Sequence, residues 1–264
     1  MTGDVTWSGS MPEIYDRELG PALFAPYAED LARRAAALAP QRVLELAAGT
    51  GIATAALVRA LPAASILATD LNEAMVSWAA PRIHGATWET ADALSLDLPD
   101  ASFDLVVCQF GVMFFPDKAM AFREAARVLA PKGTVLFTVW DTVETSGFPA
   151  ALVDSLAAVL PDDPPTFVVR VPHGYADPDQ IAADVASSGL QVLTVERLVL
   201  RGSARSARGL AEGFCLGTPL RFALEERGSL MALTDAIAEQ LLSRLGTGQL
   251  EGDLAAFVVT AAAA

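Results

Sequence analysis

The stretch Val43–Gly51 constrains the fold of this chain most strongly, because an apolar strand there runs directly into a turn of small residues. The turn contains Gly49 and Gly51, and the apolar periodicity after it predicts a helix over residues 52–61. Glycine permits a sharp turn and lets a ligand approach the backbone closely. Asp70 ends the next predicted strand, where its carboxylate can accept hydrogen bonds from both hydroxyls of a ribose. Strand, turn, helix, strand and acid in this order predict a nucleoside-binding unit.

Segments of strand length alternate with helical segments through the first half of the chain. Strands are predicted at residues 42–46, 65–69, 87–90, 103–109 and 134–140, and helices at residues 28–38, 52–61, 72–80 and 118–129. Such alternation is typical of a parallel sheet with helices on both faces. Two further strand candidates, 191–200 and 253–261, flank a mostly helical stretch and favour an antiparallel edge pair. The predicted fold is α/β: a doubly wound, mostly parallel seven-stranded sheet with an antiparallel edge strand and helical lid insertions.

Composition argues against several classes of function. The formal net charge of −14 disfavours a nucleic-acid partner, because affinity for phosphate backbones depends on Lys and Arg. No apolar run reaches the roughly 18–20 residues of a membrane span, and Met1–Ser10 lacks the basic and apolar regions of a signal peptide. Two cysteines and two histidines have no metal-ligand spacing, so no metal site is expected. We therefore expect a cytoplasmic chain with reduced cysteines. The sequence does not indicate its oligomeric state.

A glycine-containing turn followed by an acidic residue occurs in proteins that bind either of two classes of cofactor. A nicotinamide dinucleotide usually requires Gly or Ala at a third position of the turn, which is Thr54 in this chain. Glu45 lies inside the strand just before the turn, and a buried carboxylate is costly unless it is paired. An anion at this position would repel a pyrophosphate and attract a sulfonium and an amino group. Glu45 and Thr54 therefore favour a cationic nucleoside over a dinucleotide.

With these residues, the chain resembles the class I S-adenosylmethionine-dependent methyltransferases, in particular the small-molecule group related to the ubiquinone/menaquinone C-methyltransferases. The resemblance covers roughly Arg42–Trp140; within it, Phe103–Gln109 is similar to the family's fourth strand and Arg123–Gly133 to the helix and turn before the fifth. Ala47 departs from the family pattern, which usually has its first glycine there. The resemblance implies S-adenosylmethionine as cofactor. The cofactor contacts that it implies come from Glu45, Ala47, Gly49, Gly51, Asp70, Leu71, Met75, Asp92, Ala93 and Gln109.

The resemblance also implies how a single domain of residues 1–264 is divided. Residues 1–40 are expected to cover the cofactor, residues 41–141 to form the cofactor-binding core, and residues 142–176 and 203–250 to form substrate-lid insertions. No matched motif contains a catalytic residue, and a general base is optional because a sulfonium is already an activated electrophile. The acceptor is expected to be a small molecule.

Two residues outside the motifs are candidates for a catalytic role. His173 lies in the first insertion, where it could act as a general base. The more common alternative for such a histidine is a position on a surface loop. Tyr15 lies in the predicted cofactor cover, and packing alone is its alternative.

The main functional hypothesis is a methyltransferase acting on a small, partly apolar molecule. The alternatives are a methyltransferase-like scaffold that catalyses a non-methyl reaction such as cyclisation, a non-catalytic binding module, and a dinucleotide oxidoreductase. The set of Gly49, Gly51 and Asp70 argues against loss of cofactor binding. It does not separate methyl transfer from other chemistry on the same scaffold.

Overall fold

The computed structural model describes residues 7–263 and shows, within them, one sheet of seven strands. In chain order the strands are β1 (Arg42–Glu45), β2 (Ser65–Asp70), β3 (Thr87–Thr90), β4 (Phe103–Gln109), β5 (Leu129–Trp140), β6 (Leu190–Ala204) and β7 (Leu250–Ala263). Residues 1–6 lie outside the described residues. They belong to the predicted cofactor cover and to Met1–Ser10, the segment whose sequence lacks the features of a signal peptide.

The strands lie side by side in the order β3-β2-β1-β4-β5-β7-β6. Strands β1 to β5 pair in parallel, whereas β7 pairs antiparallel with β5 on one side and with β6 on the other. The predicted seven-stranded, mostly parallel sheet with antiparallel pairing at its edge is confirmed. Strand order reverses between β1 and β4, and such a reversal opens a crevice at the carboxyl ends of the strands, where ligands bind in open α/β sheets.

Helices occupy the connections between the strands. They are α1 (Met11–Ile14), α2 (Ala25–Leu38), α3 (Ile52–Ala60), α4 (Glu73–Ala79), α5 (Lys118–Val128), α6 (Gly147–Val159), α7 (Phe167–Arg170), α8 (Pro178–Ala186), α9 (Ala207–Gly217), α10 (Leu220–Glu225) and α11 (Leu230–Leu245). A π-helical segment, Tyr15–Phe24, joins α1 to α2, and 3₁₀ turns lie at Val112–Phe114 and Val143–Thr145. Over residues 7–263, none of the helices has both the length and the apolar character needed to cross a bilayer.

Apolar side chains pack on both faces of the sheet, because successive residues of a strand point to opposite sides. Val43 of β1 is fully buried in a cluster that contains Leu31 of α2 and Leu57 of α3. The next residue, Leu44, is equally buried but packs into a second cluster, which contains Phe122 of α5. Strand β1 therefore runs through the centre of the molecule, and the turn that follows it is held at the carboxyl edge of the sheet.

The N-terminal helical segments lie against α9 through a row of glycines at four-residue spacing. The row consists of Gly209, Gly213 and Gly217. A Cβ atom on Gly213 would lie 2.7 Å from Leu19 Cδ2, and one on Gly217 would lie 2.8 Å from the backbone nitrogen of Tyr15. Side chains at these positions would push the two elements apart, so the glycines of α9 set the position of Tyr15–Phe24.

Candidate active site

A cavity of about 630 Å³ lies at the reversal of strand order, and its volume is typical of sites for cofactors and small molecules. The segments after β1, β2, β3 and β4 supply most of its wall, and the N-terminal segments and α7 complete it. Nine of the ten residues predicted to contact the cofactor line this cavity, all except Gly51. These nine are Glu45, Ala47, Gly49, Asp70, Leu71, Met75, Asp92, Ala93 and Gln109.

The turn after β1 uses backbone conformations that favour glycine. Gly49 has a φ of +58° and lines the cavity, and Gly51 has a φ of +85° and caps the start of α3. A Cβ atom on Gly51 would lie 2.8 Å from Cη2 of Trp88, behind the turn. Gly51 therefore shapes the turn by packing, and the cavity gives no support to the cofactor contact predicted for it.

Ala47 also has left-handed backbone, with a φ of +52°, which is strained for a residue with a side chain. Its methyl group faces Gly111 in the segment after β4, where a Cβ atom would lie only 2.5 Å from that of Ala47. The absence of a side chain at Gly111 therefore provides the space that the methyl group needs. This pairing accommodates alanine at a position where the family usually has glycine.

The carboxylate of Asp70 is fixed by two backbone hydrogen bonds at the end of β2. Its Oδ2 accepts from the backbone nitrogen of Gly49, and its Oδ1 accepts from that of Asn72, both at 2.8 Å. Burial raises the pKa of Asp70, and these hydrogen bonds oppose the rise. Oδ1 also accepts a long hydrogen bond from Nδ2 of Asn72 at 3.4 Å. Oδ2 therefore has the free lone-pair capacity for one ligand hydroxyl, and a second hydroxyl would take the place of the Asn72 amide on Oδ1.

Glu45 at the end of β1 is a buried carboxylate in the cavity wall, only 1% exposed. Its Oε2 has no hydrogen-bond partner among residues 7–263. Burial raises the pKa of Glu45 to about 8, and the charge of Asp70 adds to the rise. An unpaired buried acceptor is unfavourable for folding, so this oxygen is suited to a cationic donor supplied by a ligand.

A second unpartnered acceptor lies on the neighbouring strand. Gln109 at the end of β4 donates its Nε2 to the carbonyl oxygen of Phe24 at 3.0 Å, which leaves its buried Oε1 without a partner within residues 7–263. Strands β1 and β4 are adjacent, and Glu45 and Gln109 both line the cavity. Two unsatisfied acceptors at adjacent strand ends fit the amino group and other donors of S-adenosylmethionine.

The segments after β2 and β3 form the side of the cavity that is predicted to hold the nucleoside. Asp92 follows β3 and accepts a hydrogen bond from the backbone nitrogen of Leu94 at 2.9 Å. Met75 of α4 is buried, whereas the side chain of Leu71 is exposed at the rim. This side therefore combines an acid with apolar surface, as a purine ring with an exocyclic amine requires.

Three aromatic rings of the N-terminal segments complete the wall. Tyr15 stacks on Phe24 with ring centroids 4.9 Å apart, and Trp7 packs edge-on against Tyr15 at 5.0 Å. Burial, with the charges of Asp70 and Asp16, raises the pKa of Tyr15 well above its ordinary value. The Tyr15 hydroxyl therefore stays protonated and can donate a hydrogen bond.

The segments after β4 and β5 give the cavity a different character. Its apolar residues there are Phe110, Met113, Phe114, Phe115, Pro116 and Val171. Two cations line the same side: Lys118, the first residue of α5, and Arg170, the last residue of α7. The cavity thus has acids on the side of β1 to β3, and apolar residues with cations on the side of β4 and β5.

His173 does not take the surface position that is common for a loop histidine. It is only 7% exposed, and its Nδ1 lies 2.7 Å from the carbonyl oxygen of Asp141. Its ring stacks on Trp140 with centroids 6.0 Å apart, and burial lowers its pKa. His173 does not line the cavity. The surface interpretation is therefore wrong, and the geometry gives the general-base hypothesis no support.

The two predicted lid insertions contribute unequally to the cavity. Arg170 and Val171, from the insertion at residues 142–176, line it, whereas no described residue of 203–250 does. That second segment instead forms α9 to α11, and α9 packs on the N-terminal segments. Its influence on the cavity is therefore indirect.

Some cavity residues were not predicted from the sequence, among them Trp7, Phe24 and Lys118. For the two aromatics, no local pattern distinguishes a cavity wall from ordinary packing. Lys118 does carry a signal, because a cation at the first position of a helix opposes the helix dipole. Within residues 7–263, no three His, Cys, Asp or Glu side chains lie together in a group that could bind a metal ion.

Comparison with known proteins finds similarity to methyltransferases. The profile of a family described as a methyltransferase domain matches residues 44–137, which run from β1 into β5. A demethylmenaquinone methyltransferase of Corynebacterium urealyticum is 30% identical over 167 residues, which cover 60% of this chain and 71% of that protein. A malonyl-acyl-carrier-protein O-methyltransferase of Halorhodospira halophila is 40% identical over 104 residues, 38% of this chain and 35% of that protein.

The similarity covers only part of several relatives. In four curated relatives the chain spans 35%, 67%, 46% and 53% of the relative's length. Among solved structures, the 4+2 cyclase SpnF has a TM-score of 0.58 and 19% identity, covering 90% of this chain and 80% of that one. Similarity at that level shows a shared fold, not a shared reaction.

Proposed function

This chain belongs to the class I S-adenosylmethionine-dependent methyltransferases, and from that premise we propose that it transfers a methyl group to a small, partly apolar acceptor. One observation carries the proposal: a single cavity joins an acidic side to an apolar side. The acidic side presents Glu45, Asp70 and Asp92, and the apolar side presents Phe114 and Phe115. Such a cavity can hold a cationic nucleoside and an apolar acceptor next to each other.

The acidic side supplies the groups that would hold the cofactor. Asp70, fixed by the backbone of Gly49 and Asn72, would accept from the ribose hydroxyls, and Asp92 from the exocyclic amine. The unpartnered oxygens of Glu45 and Gln109 would accept from the amino acid moiety. When bound, S-adenosylmethionine supplies a methyl group that the adjacent sulfonium has already activated.

The rest of the catalytic contribution is orientation and exclusion of water. Aromatic and apolar residues after β4 would hold the acceptor against the cofactor side and remove its hydration shell. We assign no general base: Tyr15 keeps its proton, and the Nδ1 of His173 lies 2.7 Å from a backbone carbonyl oxygen outside the cavity. The proposed acceptor therefore has a nucleophilic atom that neither Tyr15 nor His173 needs to deprotonate.

The names of the relatives point to no single acceptor class, because demethylmenaquinone is an apolar compound and a malonyl group is a short carboxylic acid. One relative is named for demethylmenaquinone and the other for a malonyl group on a carrier protein. No feature of the cavity favours cyclisation over methyl transfer. The unpaired, buried Cys108 and Cys215 support the further proposal that the chain works in the cytoplasm.

Product mass tests the proposed reaction. The chain is incubated with S-adenosylmethionine and a panel of phenols, quinone precursors and polyketide-like acids, and the products are weighed by mass spectrometry. We expect one acceptor class to gain a single methyl group, with equimolar S-adenosylhomocysteine. A product of unchanged mass but altered chromatographic retention, without S-adenosylhomocysteine, would instead establish non-methyl chemistry.

A further inference from the structure

Lys118 is a half-buried cation whose contacts among the described residues are all with neutral groups. Its Nζ donates to the carbonyl oxygen of Phe115 at 3.0 Å and to that of Met113 at 3.5 Å. The same nitrogen lies 4.8 Å from the centre of the Tyr175 ring. Within residues 7–263, no ion pair involves Lys118. An ammonium has three donors, so one donor remains after the two carbonyl bonds.

The nearby acid Asp184 does not neutralise this cation by direct contact. Asp184 of α8 favours the charged form of Lys118 electrostatically, but the two groups form no ion pair. Its carboxylate instead accepts hydrogen bonds from Tyr175 Oη at 2.8 Å and from Gln180 Nε2 at 2.6 Å. No acidic side chain within residues 7–263 therefore forms an ion pair with Lys118, and its charge is available to an anionic ligand.

The position of Lys118 is unfavourable for a cation that has only a structural role. It is the first residue of α5, where the helix dipole favours negative charge. Burial lowers the pKa of Lys118, because the charged form loses hydration. Both disadvantages would be relieved by an anion in the cavity.

Charge in the cavity is separated by the order of the strands. The acids Glu45, Asp70 and Asp92 follow β1, β2 and β3, whereas Lys118 and Arg170 come from the segments after β4 and β5. Because β1 and β4 are the strands at which the order reverses, the acids and the cations lie on opposite sides of the crevice. A cofactor held by the acids leaves the cationic side to the acceptor.

We propose that the methyl acceptor carries a carboxylate on an apolar body, and that Lys118 binds this carboxylate on the β4 side of the cavity. The proposal rests on the proposed function, since it assigns the acidic side to the cofactor. Phe114, Phe115 and Val171, which line this side of the cavity, contact the apolar body. An apolar acid matches this wall, which combines one cationic donor with aromatic and aliphatic surface.

Matched pairs of acids and amides test this assignment. The probes are benzoate, 2-naphthoate and dodecanoate, each with its carboxamide, titrated calorimetrically into protein saturated with S-adenosylhomocysteine. The variants are Lys118→Met, and Lys118→Gln, which keeps a donor for the Phe115 carbonyl but removes the charge. Arg123→Met on the exposed face of α5 is the control, because Arg123 lies outside the cavity.

We expect at least one acid to bind wild-type protein ten to a hundred times more tightly than its amide. Both Lys118 variants should reduce affinity for that acid to the level of the amide, whereas Arg123→Met should not. Equal affinity for all acids and their amides, or an equal loss for both in the Lys118 variants, would overturn the proposal. Absence of S-adenosylhomocysteine binding by the wild-type chain would contradict the proposed function itself.

Discussion

At the scale of single residues, Glu45 combines a cost in stability with a gain in ligand binding. Its carboxylate is almost completely buried, and Oε2 has no partner within residues 7–263. Such a group weakens the ligand-free protein because its charged form has lost hydration. The same acceptor is available to a cationic ligand at no further desolvation cost to the protein.

The stability of the ligand-free protein should depend on pH through Glu45. The ordinary pKa of a glutamate is 4.5, and that of Glu45 in the folded protein is about 8. The folded state therefore binds this proton more tightly, so stability falls as pH rises from about 4.5 to about 8. The stability advantage of Glu45→Gln over wild type should grow by about 2–3 kcal/mol between pH 6 and pH 9.

Urea unfolding followed by tryptophan fluorescence measures this difference in the absence of cofactor. Glu89→Gln, at an exposed position on β3, serves as the matched control and should show no such growth. A constant difference between Glu45→Gln and wild type across this pH range would show that Glu45 does not titrate as the burial implies.

The positions of single residues in the site could be predicted from the sequence where a local sequence pattern determines them. Gly49 and Asp70 could be placed from the sequence, because a turn between strand and helix and an acid at a strand end recur at fixed positions. The departure at Ala47 was visible, but its accommodation by Gly111 was not, since those residues lie 64 positions apart in the chain. Contacts of that kind depend on strand order, which spacing alone does not give.

At the scale of elements, the packing of α9 against the N-terminal segments connects a distant insertion to the cavity. Gly213 and Gly217 allow close contact, and Tyr15 at that contact also lines the cavity. The four-residue spacing of these glycines was present in the sequence, but the partner that the row contacts could not be identified there. The segment 203–250 therefore contacts the cavity wall through α9, and its role as a substrate lid stays a prediction.

Substitution of Gly217 by alanine should disturb the site without touching the cavity. The added methyl group would lie 2.8 Å from the backbone nitrogen of Tyr15 and 3.1 Å from its Cα, so the N-terminal segment must shift. We expect a loss of about 1–3 kcal/mol in stability and a several-fold loss in affinity for S-adenosylhomocysteine.

Thermal unfolding and calorimetric titration measure the two effects of Gly217→Ala. Gly228→Ala is the control, because the nearest atom to its added methyl group would be Leu233 Cδ1 at an ordinary 3.7 Å. Unchanged affinity in Gly217→Ala would show that α9 does not set the position of the cavity wall.

At the scale of the whole molecule, the sheet brings acids and cations to opposite sides of one crevice. The seven strands and their mostly parallel arrangement followed from alternating apolar segments, since strands buried on both faces need continuous apolar runs. The charge distribution could not be derived in the same way, because Lys118 and Arg170 become neighbours of the cofactor site only through the order β1-β4-β5. Fold class was therefore predictable, whereas the acceptor side of the site required the structure.

The most direct test of the account is calorimetric titration of the chain with S-adenosylmethionine, comparing wild type with Asp70→Ala. Asp97→Ala, which removes an exposed carboxylate outside the cavity, is the matched control. We predict that Asp70→Ala weakens binding by about 1–3 kcal/mol, because it leaves ligand hydroxyls without an acceptor, and that Asp97→Ala leaves affinity unchanged. Equal affinity of Asp70→Ala and wild type, or binding of NADH but not of S-adenosylmethionine, would contradict the account.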